Sequence, residues 1–188
     1  MRRQPEPTDD GTAAGDVEPD PEDVARTICL RLLTGAPRTR AELATAMRKR
    51  GVPPDVADRV LDRFTSVNLI DDAAYAEAFV ESRHRERGLA RTALKTELQR
   101  KGVDPDTAAA AVELLDPAEE EAAARALVAR RLRSMSGLAP EARLRRLTGM
   151  LARKGYPAGL AFRVVRDALA AELSEAQALA LDSDTSTV

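Results

Sequence analysis

The chain has 188 residues, 44% of them hydrophobic but only 3% aromatic, with no Trp, so any core must be built from Leu, Val, Ala and Ile. One cysteine excludes an internal disulfide, no stretch reaches the ~20 apolar residues of a membrane span, and no apolar run follows Arg2 and Arg3 as a secretory signal requires. The expectation is a soluble cytoplasmic protein. The net charge of −2 hides a segregation: residues 1–23 hold eight acids and two arginines, residues 171–188 four acids and no base, and residues 24–170 hold 27 bases against 19 acids. A basic middle between acidic ends suggests an anionic partner, and arginine, which dominates those bases, has a planar fork suited to phosphate.

In chain order, residues 1–22 are rich in Pro, Gly, Asp and Glu without an apolar period, which predicts a disordered acidic tail. The first helix is expected over 23–34, where Val24, Ile28 and Leu32 recur at helical spacing and Cys29 and Leu33 widen the stripe. Thr39 and Glu42 form a capping-box signature that opens a helix over 40–50, stopped by Gly51. Pro54 opens a third helix, 54–66, with Val56, Val60, Leu61 and Phe64 inward. Asp71 caps a helix over 72–87 that carries Tyr75, Phe79 and Val80 inward and ends at Gly88. Helices follow over 90–101 and 105–115, the latter led by Asp104-Pro105. The helix 117–134 opens with three glutamates and closes with Arg130, Arg131 and Arg133, matching the helix dipole at both ends. The last two are expected over 140–154 and 158–173, leaving 174–188 as a disordered acidic tail. No segment alternates as a strand does, so the fold class is all-α.

One pattern occurs three times. Leu43, Met47 and Gly51 are matched by Leu94, Leu98 and Gly102, and again by Leu147, Leu151 and Gly155, with glycine spacings of 51 and 53 residues. Such a period marks one supersecondary unit used three times: three-helix repeats over 23–66, 67–116 and 117–173. Cations precede each glycine: Arg48-Lys49-Arg50, Arg100-Lys101 and Arg153-Lys154.

Catalytic material is scarce. The single histidine, His84, lies inside an arginine-rich helix end, and Cys29 sits on an apolar stripe as a structural thiol would. No CxxC pair, P-loop or nucleophile elbow occurs, and Asp71-Asp72 reads as a helix cap rather than a metal site. An enzyme is not expected, nor a metal or cofactor. Binding material is abundant, and one base per helix end is all the dipole explains. On charge density the partner-facing group is Arg83, Arg85, Arg87, Arg91, Lys95, Arg100 and Lys101, extended by Arg48, Lys49, Arg50, Arg145, Arg146, Arg153 and Lys154. Few aromatics mean no base-stacking platform, so DNA, single- or double-stranded, would be held without sequence preference.

These segments resemble the RecX family of RecA regulators. The resemblance is carried by residues 25–34 (ARTICLRLLT) with 38–43 (RTRAEL), 68–80 (NLIDDAAYAEAFV), 87–103 (RGLARTALKTELQRKGV) and 152–165 (ARKGYPAGLAFRVV), and it covers about residues 24–170. It implies three tandem three-helix repeats in an elongated, curved array, and a monomeric, non-enzymatic regulator. Such a protein binds the RecA filament on DNA and inhibits its ATP hydrolysis, strand exchange and co-protease activity. Recombinational repair and the SOS response are thereby restrained. Asp71, Asp72, Tyr75, Ala76, Gly51, Gly88, Gly102 and Gly155 are assigned to architecture. The acidic N-terminal segment departs from the family and would compete with DNA for the basic face. Two other readings stand beside this one. Residues 39–70 can form a lone helix-turn-helix of a DNA-binding transcriptional regulator, and the whole can be a helical protein scaffold.

Overall fold

The computed structural model describes residues 20–185, which form nine helices and no strand. They are α1 (Pro21–Gly35), α2 (Arg40–Arg48), α3 (Pro54–Ser66), α4 (Asp72–Arg87), α5 (Arg91–Arg100), α6 (Pro105–Glu113), α7 (Pro117–Leu132), α8 (Pro140–Arg153) and α9 (Ala158–Thr185). Local chemistry sets most of the starts. The side chains of Asp20, Asp71, Asp104 and Asp116 accept first-turn N–H groups of α1, α4, α6 and α7, and the Thr39–Glu42 capping box opens α2. The middle helix of every repeat stops in the same way. Gly51, Gly102 and Gly155 take positive φ, and the next residue donates its N–H five residues back: Val52 to Met47, Val103 to Leu98, Tyr156 to Leu151, at 3.1–3.2 Å.

Each helix packs chiefly on the other two of its own repeat, giving three separate cores. Leu43, Met47, Leu94, Leu98, Leu147 and Leu151 are fully buried, each contributing roughly 1.5–3 kcal/mol through apolar area removed from water. A small residue four before a core residue faces inward from each first helix: Ala25 and Cys29, Ala76 and Val80, Ala124 and Val128. Cys29 meets Met47 sulfur to sulfur at 3.7 Å, and burial raises its thiol pKa.

The repeats are joined in series by helix ends. At the first junction the Thr39 hydroxyl donates to the Lys101 carbonyl at 2.7 Å, and Asp72 accepts the N–H of Arg40 at 2.9 Å. At the second, the N–H of Ala90 donates to the Lys154 carbonyl at 2.9 Å, and Glu120 accepts the N–H of Arg91 at 2.9 Å. The start of one middle helix thus sits on the end of the next. Gly102 and Gly155 lie at those contacts: a Cβ on Gly102 would stand 2.2 Å from the Ala41 Cβ, and one on Gly155 2.4 Å from the Ala93 nitrogen. Gly51, in repeat 1, would meet nothing within 4 Å.

Both expected tail boundaries differ from the sequence reading, while several helix ends shift by only one or two residues. Pro21 and Glu22, assigned to the N-terminal tail, open α1 because Asp20 caps it; the remainder of that tail, 1–19, lies outside the described residues. The last helix does not end at Leu173 but runs to Thr185, so residues 174–185 of the expected C-terminal tail are helical. No Gly or Pro interrupts that stretch, and its Ala, Leu and Glu have high helix propensity without needing a partner to pack on.

Candidate nucleic-acid and partner interface

The structure divides the cations counted from the sequence into those engaged within the protein and those left exposed. Arg85 pairs with Glu81 at 2.6 Å, both exposed, and half-buried Arg83 lies 3.8 Å from exposed Glu86; such pairs along α4 contribute ~0–1 kcal/mol. Arg91 was expected to face a partner; it joins repeats instead. Its guanidinium donates to the carbonyl of Leu115, its backbone N–H goes to Glu120, and its Nε is buried. Lys101 is likewise an inter-repeat tie, donating from Nζ to Glu42 at 2.7 Å across the first junction. That bond, then the Tyr75 hydroxyl, raises its pKa. Lys154 reaches across the second junction to the Arg87 carbonyl. Sequence reasoning could not separate these three from their neighbours because their partners stand 24 to 67 residues away.

The cations left exposed are Arg48, Lys49 and Arg50 at the end of α2, Arg87 and Arg100 at the ends of α4 and α5, and Arg145, Arg146 and Arg153 on α8; Lys95 is half-buried. They lie on all three repeats, so positive charge is presented along the series and not at one reading head. Arg130, Arg131 and Arg133 of α7 are also exposed. By sequence alone they complement the dipole of α7. The signal available was Arg130, one helical turn beyond the core residue Leu127.

The acidic-aromatic segment has two functions in the fold. Asp71 caps α4 by accepting the Ala74 N–H at 2.9 Å, while Asp72 reaches back to repeat 1. Ala76 is fully buried. Tyr75 and Phe79 stack at 6.1 Å between ring centres, with the Arg83 guanidinium 5.3 Å over Phe79 and the Lys101 ammonium 5.7 Å over Tyr75. These rings line a groove of about 630 Å³ between repeats 1 and 2, together with Leu33, Leu69 and Arg38. His84 stands with Nδ1 2.9 Å from the carbonyl of Leu89, bridging the bend after α4. Tyr156 donates its hydroxyl to the Gly88 carbonyl at 3.1 Å; burial, and then the charge of Glu120, pushes its pKa up to about 12. Among the described residues no group of three metal-ligating side chains occurs, and no helix is long and apolar enough to cross a membrane.

A series of three-helix repeats, tied end to end through helix termini and carrying exposed arginines on every unit, defines a tandem helical-repeat protein. Its relatives are specific. The chain matches the first, second and third three-helix domains of RecX over residues 25–64, 71–112 and 119–165. It is 58% identical over 166 residues to the Regulatory protein RecX of Thermobifida fusca, covering 87% of this chain and 89% of that one. It is also 58% identical to that of Streptomyces coelicolor over 158 residues, 84% of each chain. The crystal structure of RecX from Lactobacillus salivarius superposes with a TM-score of 0.73 at 20% identity, covering 79% of this chain and 96% of that one. The chain belongs to the RecX family.

Proposed function

We propose that this chain is a non-enzymatic, cytoplasmic regulator of RecA that binds the recombinase filament on DNA and inhibits its ATP hydrolysis, strand exchange and co-protease activity. Recombinational repair and the SOS response are restrained as a result. The observation that carries the reading is the match to RecX over all three repeats, with relatives named Regulatory protein RecX covered along most of their length. The geometry supports it. Three like units in series, each with exposed cations, can engage regularly spaced sites on a polymer, and simultaneous engagement multiplies weak contacts into avidity. DNA, single- or double-stranded, contributes through phosphate contacts without sequence preference, and the chain acts as a monomer. A lone helix-turn-helix over 39–70 is a weaker reading, since the same three-helix unit appears three times.

The test is single-strand-dependent ATP hydrolysis by a RecA filament while the full-length chain is titrated in at physiological salt. Suppression far below one copy per RecA subunit supports the reading and indicates action at filament ends. Suppression only near equal ratios supports it as coating of the filament. Unchanged hydrolysis at every ratio overturns it.

A further inference from the structure

Lys101 and Lys154 hold the same place in successive repeats, each directly before its glycine and each reaching back across a junction. Their surroundings are opposite. Lys101 is neutralised by Glu42, the residue before Leu43. In the next copy the residue before Leu94 is Ala93, so no carboxylate waits for Lys154. Its ammonium donates to an uncharged acceptor, the Arg87 carbonyl. The charges around it are Arg130 and Arg87, which act after burial to lower its pKa, where Glu42 raises that of Lys101.

Three helices bring this cluster together. Arg87 is the last residue of α4, Lys154 follows the end of α8, and Arg130 lies on α7 one turn beyond Leu127. Leu127 fixes the approach, because it packs so close to Gly88 that a Cβ there would stand 2.9 Å from Leu127 Cδ1. Arg87 and Arg130 are exposed and Lys154 is half-buried. The acid on that side, Glu120, is engaged by the Arg91 N–H at 2.9 Å. Like charges gathered with no counter-charge among the described residues repel each other, and an anion entering among them relieves the repulsion.

We propose that Arg87, Arg130 and Lys154 form a phosphate site at the junction of repeats 2 and 3, taking a backbone phosphate of a nucleic-acid strand. The first junction is not such a site, since Glu42 stands where the phosphate would. A phosphate bound here bridges α4 to α7 and the end of α8, so occupancy ties repeat 2 to repeat 3. The choice of a nucleic acid rests on the DNA-binding part of the function proposed above.

The test uses the full-length chain and a labelled single-stranded oligonucleotide, with affinity measured by anisotropy across a salt series. Arg130→Glu is expected to bind about tenfold more weakly, with a log K–log salt slope shallower by ~1. Arg63→Glu, the same charge change on exposed α3, should stay within about twofold. Glu42→Ala, which frees Lys101, should bind at least as tightly as the wild type. Arg130→Gln, whose melt should match the wild type, replaces Arg130→Glu if the reversal unfolds. Equal binding and slope for the Arg130 variants and the wild type would overturn the site alone, as would an equal loss in Arg63→Glu. A wild-type chain that does not bind the oligonucleotide overturns the DNA-binding reading and this assignment together. Inorganic phosphate that raises the melting temperature of the wild type but not of Arg130→Glu, with oligonucleotide affinity the same in both, assigns the site to a free anion and overturns the nucleic-acid claim.

Discussion

The hydroxyl of Thr39 donates to the carbonyl of Lys101, 62 residues further along, at 2.7 Å. The same oxygen accepts the N–H of Glu42 at 3.1 Å, and the residue is fully buried. One hydroxyl therefore caps α2 and ties repeat 1 to repeat 2. Thr39→Ala removes the cap and leaves the half-buried Lys101 carbonyl without this partner, so it should cost about 2 kcal/mol, while Thr39→Ser should keep most of the stability. Urea denaturation followed by circular dichroism measures both; equal stability of the alanine variant and the wild type would mean that water replaces both bonds.

The three helix-stop glycines should rank by what lies opposite them. All have positive φ, so alanine at any one costs ~1–2 kcal/mol of backbone strain. Gly51→Ala adds nothing to that, having open space. Gly102→Ala and Gly155→Ala also push the neighbouring repeat away, for a further ~1–3 kcal/mol. Thermal melts should place Gly51→Ala closest to the wild type; a larger loss there than at the junction glycines would contradict the end-to-end docking of the repeats.

Tyr156 gives the second junction a dependence on alkaline pH. Its phenol is 4% exposed and its pKa is pushed up to about 12, so the folded chain favours the neutral form more than the unfolded chain does. Its contribution, roughly 2 kcal/mol, is complete below the unfolded value near pH ~10 and is lost as pH rises through the folded value. Tyr156→Phe removes this dependence and, by losing the bond to the Gly88 carbonyl, starts ~1 kcal/mol lower. Across that pH window the wild-type stability should fall through that of Tyr156→Phe, so that the two cross, and parallel curves would count against the buried phenol.

Cys29 is fully buried, and burial raises its pKa, so little thiolate is available to react. A thiol reagent should label the native chain only at the rate at which repeat 1 opens, and rapidly in denaturant. Prompt labelling without denaturant would show that α1 detaches readily from α2.

The sequence by itself determined what depends on near neighbours or on period. Apolar spacing, aspartate and threonine caps, prolines at first turns and the recurrent glycine stops act within a few residues, so nine helices, their grouping in threes and the family resemblance could all be read from it. The end of α9 lies beyond the expected Leu173, in a stretch without Gly or Pro where Ala and Leu favour helix. Only the tertiary structure decided which cations are available. Arg91 and Lys101 look like their neighbours along the chain, yet one meets Glu120 and the other Glu42, across junctions that no local pattern encodes. Arg130 lies one turn beyond Leu127, which packs on Gly88, and its charge acts on Lys154 from another helix. A charge's availability depends on what folding brings within a few ångströms of it, and those partners are dozens of residues away in sequence.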